Sequence, residues 1–338
     1  MPASKRKTCP PDPYAGRKVK MMGDVKYTTA PPEFDASKIA TPRTPFGYYG
    51  AKLRIASRIV RALPSHNAWV EAFCGSAALT LAKKPAPIEV INDLDGQIVN
   101  LFQQLRDNAE ALCRAVSLTP YARTEFKKAR PLEVNHDPLE QARKFLVASM
   151  MTVNGTVGCA VSSGFSYSQS YARGGREARV NRWYNLPERL ARVVERLRNV
   201  RVEQRDAREL LQMFSDRPAT LVYLDPPYFV RRRYTYAIET NNESFHRELL
   251  TICCKARCMI LISGYNNELY NKILTSKNGW KRMSINTTTR GTSGKDHTRT
   301  EVLWKNKYYC KAEKTGRVPI RLTAEERATN KINPPRKR

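Results

Sequence analysis

Several patterns are missing from this chain, and each absence removes a class of function. No run of roughly 18 apolar residues occurs, so no segment is expected to span a membrane. The basic, proline-dotted stretch from Met1 to Lys20 has no apolar centre, so it does not read as a secretory signal. None of the eight cysteines stands in a C-x-x-C pair. Cys253, Cys254 and Cys258 are close together, but they lie in an apolar, helix-like stretch without a histidine. Buried, reduced thiols of a cytosolic protein account for them better than zinc does. The four histidines, His66, His136, His246 and His297, form no ligand pattern, so no metal is expected. Acidic residues are scarce: 31 Asp and Glu against 59 Lys and Arg, a formal charge of +28. An excess spread along the whole chain favours a polyanion as partner, most simply nucleic acid.

Hydrophobic residues make up 41% of the 338, enough for a real core. Short apolar runs alternate with helical patterns through the middle of the chain. Strands are predicted at Ala68–Phe73, Ile88–Asn92, Val200–Glu203, Thr220–Leu224 and Met259–Ser263, with a closing pair at Trp280–Ile285 and Thr300–Trp304. Helices are predicted at Ala77–Lys83, Gln97–Val116 and Glu243–Lys255. This alternation means an α/β fold, a doubly wound mixed sheet, which binds ligands at the carboxyl ends of its strands. Residues 117–185 break the rhythm and read as an inserted, mainly helical region. Its Phe165, Tyr167 and Tyr171, interleaved with Arg173, Arg176, Arg179 and Arg182, suit a nucleic-acid surface, because rings stack on bases and guanidiniums hold phosphates. Residues 1–44 are expected to be a basic, disordered arm and residues 309–338 a basic tail. That leaves 45–116 and 186–308 as the catalytic domain.

The sharpest motif is Leu221-Val-Tyr-Leu-Asp225-Pro226-Pro227-Tyr228. An Asp-Pro turn after a strand is common; the full Asp-Pro-Pro-Tyr is not. Two prolines fix the backbone and remove two N–H donors, leaving carbonyl acceptors beside a carboxylate. That set suits the two hydrogens of an exocyclic amine on a planar base, and Tyr228 offers a face for stacking. Four companion segments accompany it. Tyr48-Tyr-Gly50-Ala-Lys52 precedes the first strand. Glu71-Ala-Phe73-Cys-Gly75-Ser-Ala77 turns from that strand into a helix. Asp93 follows the second strand, where an acid typically bonds ribose hydroxyls. Asp206 ends the strand before that of Asp225.

In this order the motifs resemble the adenine-specific DNA methyltransferases of the Dam type, over roughly residues 45–307. The resemblance implies S-adenosyl-L-methionine as cofactor and double-stranded DNA as partner. It implies a Rossmann-like methyltransferase fold whose insertion, 117–185 here, recognises the target. It also implies a protein of the bacterial or phage-infected cytoplasm, and a monomer is expected. Asp225, Pro226, Pro227 and Tyr228 match the catalytic motif. Tyr48, Gly50, Lys52, Glu71, Phe73, Gly75, Asp93, Asp206 and Asp225 are the candidate cofactor residues, with Lys52 expected at the cofactor's carboxylate. Arg173, Arg176, Arg179, Arg231, Arg232, Arg233, Arg290 and Lys295 are the candidate DNA contacts. Ile262-Ser263 and Thr300-Glu-Val-Leu303 are also family-like. The sequence departs from the family at Ala51, Ala72 and Ala77, where Gly, Pro and Gly are usual, and a slightly altered turn is expected. Two alternatives stay open: the same chemistry on an RNA base or a cytosine amine, and a DNA-binding protein whose cofactor site has decayed.

Overall fold

The apolar strands are buried on both faces, which requires helices on both sides of the sheet. The structure, a computed structural model, describes residues 25–28, 42–48, 50, 52–130, 136–153, 164–169, 172–173, 175–228, 242–290 and 296–321. In chain order the elements are β1 (Val25–Thr28), α1 (Ala56–Arg61), β2 (Ala68–Glu71), α2 (Ala78–Ala82), β3 (Ile88–Asn92), α3 (Gly96–Asp107) and α4 (Ala109–Leu118). Then come α5 (Arg123–Lys128), α6 (Pro138–Met150), the short pair β4 (Ala172–Arg173) and β5 (Arg176–Glu177), α7 (Ala178–Tyr184) and α8 (Leu186–Leu197). The chain continues through β6 (Val200–Glu203), α9 (Ala207–Phe214), β7 (Thr220–Leu224), α10 (Glu243–Lys255) and β8 (Met259–Gly264). It closes with α11 (Glu268–Ile273), β9 (Lys281–Arg290), β10 (Asp296–Lys305), α12 (Lys307–Thr315) and β11 (Val318–Arg321).

Seven strands form the main sheet in the order β6-β3-β2-β7-β8-β10-β9. The first five are parallel, and β10 runs antiparallel to both β8 and β9. The order reverses direction between β2 and β7, the switch point where such sheets take ligands. Alternating side chains feed opposite cores. Val70, Val222 and Ile260 pack under α9, α10 and α11, whereas Trp69, Leu221 and Leu261 pack under α1, α2 and α12. A third core, from Ile91 across α3, α4, α6 and α8, lies on the second of these faces. The expected mixed α/β sheet is therefore present.

Three expectations change. The single helix over 97–116 is two, α3 and α4, meeting at Asn108, whose backbone leaves the helical region (φ −134°, ψ 37°). The tail boundary at 309 falls inside α12, where Tyr308, Tyr309 and Ala312 are buried and Tyr309 Oη donates to Ala62 O at 2.6 Å. Lysines on the outer side of α12 hide that apolar spacing from a reading by composition. Next, β11 pairs antiparallel with β1, which lies within the expected N-terminal arm. Arg321 reaches back to Asp216 ahead of β7, and Asp216 also meets Arg257 ahead of β8 at 3.6 Å. Residues 1–24, 29–41 and 322–338 lie outside the described residues.

Among its described residues, the region 117–185 gives no strand to the seven-stranded sheet. The chain returns from it through α8, whose Leu186, Leu190, Val193 and Leu197 are buried. A buried ion triad fixes that return. Arg196 Nη1 lies 2.5 Å from Glu89 Oε2, and Lys83 Nζ lies 2.6 Å from Glu89 Oε1. With both cations on one carboxylate no buried charge is left alone, which is what makes such a group tolerable.

Candidate active site

Asp225 follows β7 at the switch point, and the side chains of three other segments converge on it. Lys52 Nζ donates to Asp225 Oδ1 at 2.8 Å and Oδ2 at 2.6 Å, to Tyr228 Oη, and to Gly50 O at 3.1 Å. Ser263 Oγ, near the end of β8, donates to Asp225 Oδ1 at 3.0 Å. Tyr228 Oη donates in turn to Glu301 Oε1 on β10 at 2.8 Å, and Lys52 Nζ lies 3.6 Å from the same oxygen. Lys52 and Glu301 are each only 6% exposed, so these charges must answer one another rather than water. Two carboxyl groups, Asp225 and Glu301, face one amine, Lys52. Burial, and the neighbouring Asp225 charge, push the Glu301 carboxyl up, while Lys52 and Tyr228 pull it back. Burial pushes the Tyr228 phenol well above its ordinary range.

Lys52 reaches this centre from the segment ahead of α1. The segment before it is pinned from several sides. Phe46 is buried edge-on to Phe145 of α6 at 5.0 Å, and Ser149 Oγ donates to Gly47 O. Gly50, at φ +83°, then turns the chain so that Lys52 points inward. All three of its hydrogens find acceptors in Gly50, Asp225 and Tyr228, which sets Lys52 in the Asp225 centre.

Beside Asp225 opens a shallow cleft, lined among others by Pro226, Pro227, Tyr228, Ser263, Tyr265 and Asn267. The Tyr228 and Tyr265 rings are 4.5 Å apart and inclined at 51°. Tyr228 is 7% exposed, so Tyr265 shares the flat wall that Tyr228 alone was expected to supply.

The turn after β2 forms the other half of the site. Gly75 has φ +47°, and a Cβ there would stand 2.7 Å from Cδ1 of Tyr48. Only glycine satisfies both the left-handed backbone and the ring laid across it. Asp93 Oδ2 accepts from Gly75 N at 2.8 Å, and its Oδ1 from Asp95 N at 3.0 Å. Burial, opposed by those backbone donors, pushes the Asp93 carboxyl up to about 6. Ala77 also takes a left-handed backbone, φ 53°, so the departure from glycine is absorbed as local strain with the turn kept. Ser76 Oγ is buried in this turn with no hydrogen-bond partner among the described residues. Glu71 differs from expectation: its Oε2 accepts from Thr80 N at 2.9 Å and from Thr80 Oγ1, which commits it to the start of α2. Burial pushes its carboxyl up to about 7 against those bonds.

With this geometry in place, the family can be assigned. Residues 48–289 match the model of the D12 class N6 adenine-specific DNA methyltransferases. The chain belongs to that family. The enzyme is also similar in fold to a protein of Haemophilus influenzae described as a methylase, at 11% identity and a TM-score of 0.34, covering 77% of this chain and 91% of that one. A Pyrococcus horikoshii protein described as an RNA methyltransferase matches at 8% identity and a TM-score of 0.35, covering 85% and 95%. The precorrin-6y C5,15-methyltransferase of Geobacter metallireducens matches at 9% and 0.35, covering 80% and 95%. No curated protein matches the sequence.

Other candidate residues of the enzyme fall elsewhere. Asp206 caps α9 and is gripped by Arg208 at 2.7 Å, so much of its accepting capacity is spent. Phe73 packs edge-on to Phe245 of α10 at 6.4 Å. In the insertion, Phe165 is tied to Tyr121 and Phe126 by ring contacts at 5.2 and 5.7 Å, so its faces are not open to a base. Tyr167 is exposed, and so is Arg176, which stacks on Tyr184 at 3.9 Å. Arg179 is half-buried on α7. Arg173 and Arg290 are described by backbone alone, and Tyr171, Arg231, Arg232, Arg233 and Lys295 lie outside the described residues. Among the described residues no group of three His, Cys, Asp or Glu could hold a metal ion. Sequence reasoning placed Glu301 and Ser263 in family-like segments without giving them a role, and it missed Tyr265 altogether.

Proposed function

We propose that the enzyme transfers a methyl group from S-adenosyl-L-methionine to the exocyclic amino nitrogen of adenine in double-stranded DNA, with the target base turned out of the helix. The observation that carries this reading is the acceptor set of Asp225, which already holds a primary amine nitrogen, Lys52 Nζ, with both oxygens. Lys52 and Ser263 occupy three of the four lone-pair directions, and one on Oδ2 is left. That direction and the Pro226 carbonyl form a pair of acceptors for the two hydrogens of an adenine amine. Accepting both steers the nitrogen lone pair away from the carboxylate. Ser263 and Lys52 keep Asp225 from rotating, and positioning of this kind supplies much of the rate in a direct displacement.

Adenine within a duplex cannot reach such a recessed carboxylate, so the base must leave the stack, at a cost of a few kcal/mol. The cleft walled by Tyr228, Tyr265 and the two prolines is where it would lodge. Tyr48, Gly75, Ser76 and Asp93 would hold the cofactor. The absent side chain at Gly75 and the unpartnered Ser76 hydroxyl fit a ligand seated on that turn. The carboxyl groups of Asp225 and Glu301 suit a neighbouring cationic sulfonium. When bound, the cofactor supplies the electrophilic methyl. No general base is needed to start the reaction, because the methylated amine loses its proton readily to solvent.

Asp225→Asn tests the reading. It keeps the shape and replaces one acceptor oxygen by a donor. Methyl label on adenine in unmethylated genomic DNA should fall by more than a hundredfold, with duplex binding preserved. Turnover close to that of the wild type would refute it, and label on cytosine or RNA would redirect the substrate.

A further inference from the structure

Several arginines that are partly or wholly withdrawn from water have carboxylate partners. Arg143 meets Glu140 and Glu125, Arg196 meets Glu89, and Arg208 meets Asp206 and Glu248. One group is different. Arg179 and Arg182 on α7, Arg189 on α8 and Arg43 before the Tyr48 segment form no ion pair among the described residues. Arg189 Nη2 donates to Pro45 O at 3.2 Å and lies 3.4 Å from Met150 Sδ, while its Nε is buried with no acceptor. Burial, and after it the charges of Arg182 and Arg43, bring Arg189 down to about 10. Burial, and after it Arg179, lowers Arg182. Glu177, close enough to act on Tyr121, has its Oε1 occupied by Ser168 N at 2.7 Å. Four guanidiniums are thus gathered without a counter-charge. Such a gathering costs free energy in the isolated protein unless an anion is brought to it.

We propose that Arg43, Arg179, Arg182 and Arg189 form a docking site for a phosphodiester of the substrate DNA backbone. The proposal rests on the reading of DNA as substrate. Guanidinium forks match phosphate oxygens in pairs, and an exposed guanidinium at the edge of the cluster (Arg43) can meet the strand first. The position fits the task. Arg189 holds Pro45, and the chain runs from there through Phe46 and Tyr48 to Gly50 and Lys52, which meets Asp225. A phosphate bound at the cluster therefore bears on the segment that reaches the candidate active site. The cluster positions the backbone and reads no base.

The test uses the full chain and a fluorescein-labelled duplex, with anisotropy followed from about 50 to 300 mM salt. Arg179→Gln and Arg182→Gln should each weaken binding about tenfold at low salt and reduce the slope of log K against log salt by about 1. The double variant should lose about 2. Melting temperatures should hold or rise, since removing a crowded like charge relieves repulsion. Arg182→Lys, which keeps the charge, should retain most of the slope. A double variant with the wild-type slope would overturn the cluster while leaving DNA as the substrate. Equal loss in Arg182→Lys and Arg182→Gln would also overturn it, by showing a purely structural role. A wild-type protein with no salt-dependent duplex binding would instead remove the DNA reading itself.

Discussion

Glu71 carries the most direct quantitative test of how this sheet handles charge. It is 2% exposed, and its Oε2 is bonded to the Thr80 amide and hydroxyl. Burial raises its carboxyl from 4.5 to about 7. The neutral form is therefore the one the fold prefers. Its contribution is complete below the unfolded value near pH 4.5 and is lost as pH rises through 7. The loss is about 2.5 units at 1.36 kcal/mol each, or about 3 kcal/mol at pH 8. Glu71→Gln keeps an oxygen for Thr80 and removes the ionisation. The stability of the variant relative to wild type should rise by about 2.5 kcal/mol between pH 5 and pH 8. With an unfolding entropy of about 2.1 cal/mol/K per residue, that is about 4 °C in Tm. Calorimetric scans of both proteins at pH 5, 6, 7 and 8 measure it. Parallel Tm profiles would show that Glu71 is ordinarily ionised in the fold, and the account of its burial would be wrong. A loss of stability in the variant at every pH would show that the charge itself holds α2.

Two further substitutions probe the site. Gly75→Ala meets both a left-handed φ and the Tyr48 ring, so it should cost about 2 kcal/mol and weaken cofactor binding by titration calorimetry. In a Tyr48→Ala background only the backbone part should remain, and an equal cost in both backgrounds would disprove the clash. Glu301→Gln removes the charged acceptor of Tyr228 Oη and half of the negative charge facing Lys52. It should lower kcat about tenfold or more with duplex affinity unchanged, and shift the acid limb of the pH–rate profile. An unaltered profile would reduce Glu301 to packing.

The parallel strands were legible because each is a short apolar run closed by a polar or small residue, and Glu243–Lys255 was legible to the residue. Asp225 to Tyr228 stood out for its stiffness and its place after such a strand. What failed depended on partners distant in the chain. Lys52 lies 173 residues from Asp225, and Glu301 lies 73 residues from Tyr228 on an antiparallel strand whose register no local pattern sets. Glu71 was named a cofactor residue because its segment matches the family's cofactor turn. Thr80, one turn into α2, drew it inward. Asn108 is an ordinary residue inside a long apolar period, and nothing in composition marks the break between α3 and α4. Phe165 was read as a stacking ring because it lies among interleaved arginines, but Tyr121 and Phe126, part of the third core, had already claimed it.

The pairing of β1 with β11 has a consequence for folding order. It closes a loop from Thr28 to Val318, nearly the whole described chain, through four residues on each side. Closing a flexible loop of that length costs about 5 kcal/mol by the logarithmic rule. A ladder so short cannot repay this before the sheet has collapsed and shortened the effective loop. The clasp is then the last element to form and the first to open. It also sits with Asp216 and Arg257 at the amino ends of β7 and β8, away from the carboxyl ends that carry Asp225 and Ser263. Opening it should leave the catalytic edge folded, so amide exchange in β1 and β11 should outrun exchange in β7 and β8 by orders of magnitude. Joining the two termini by a linker and opening the chain elsewhere would turn this weakest closure into a covalent one.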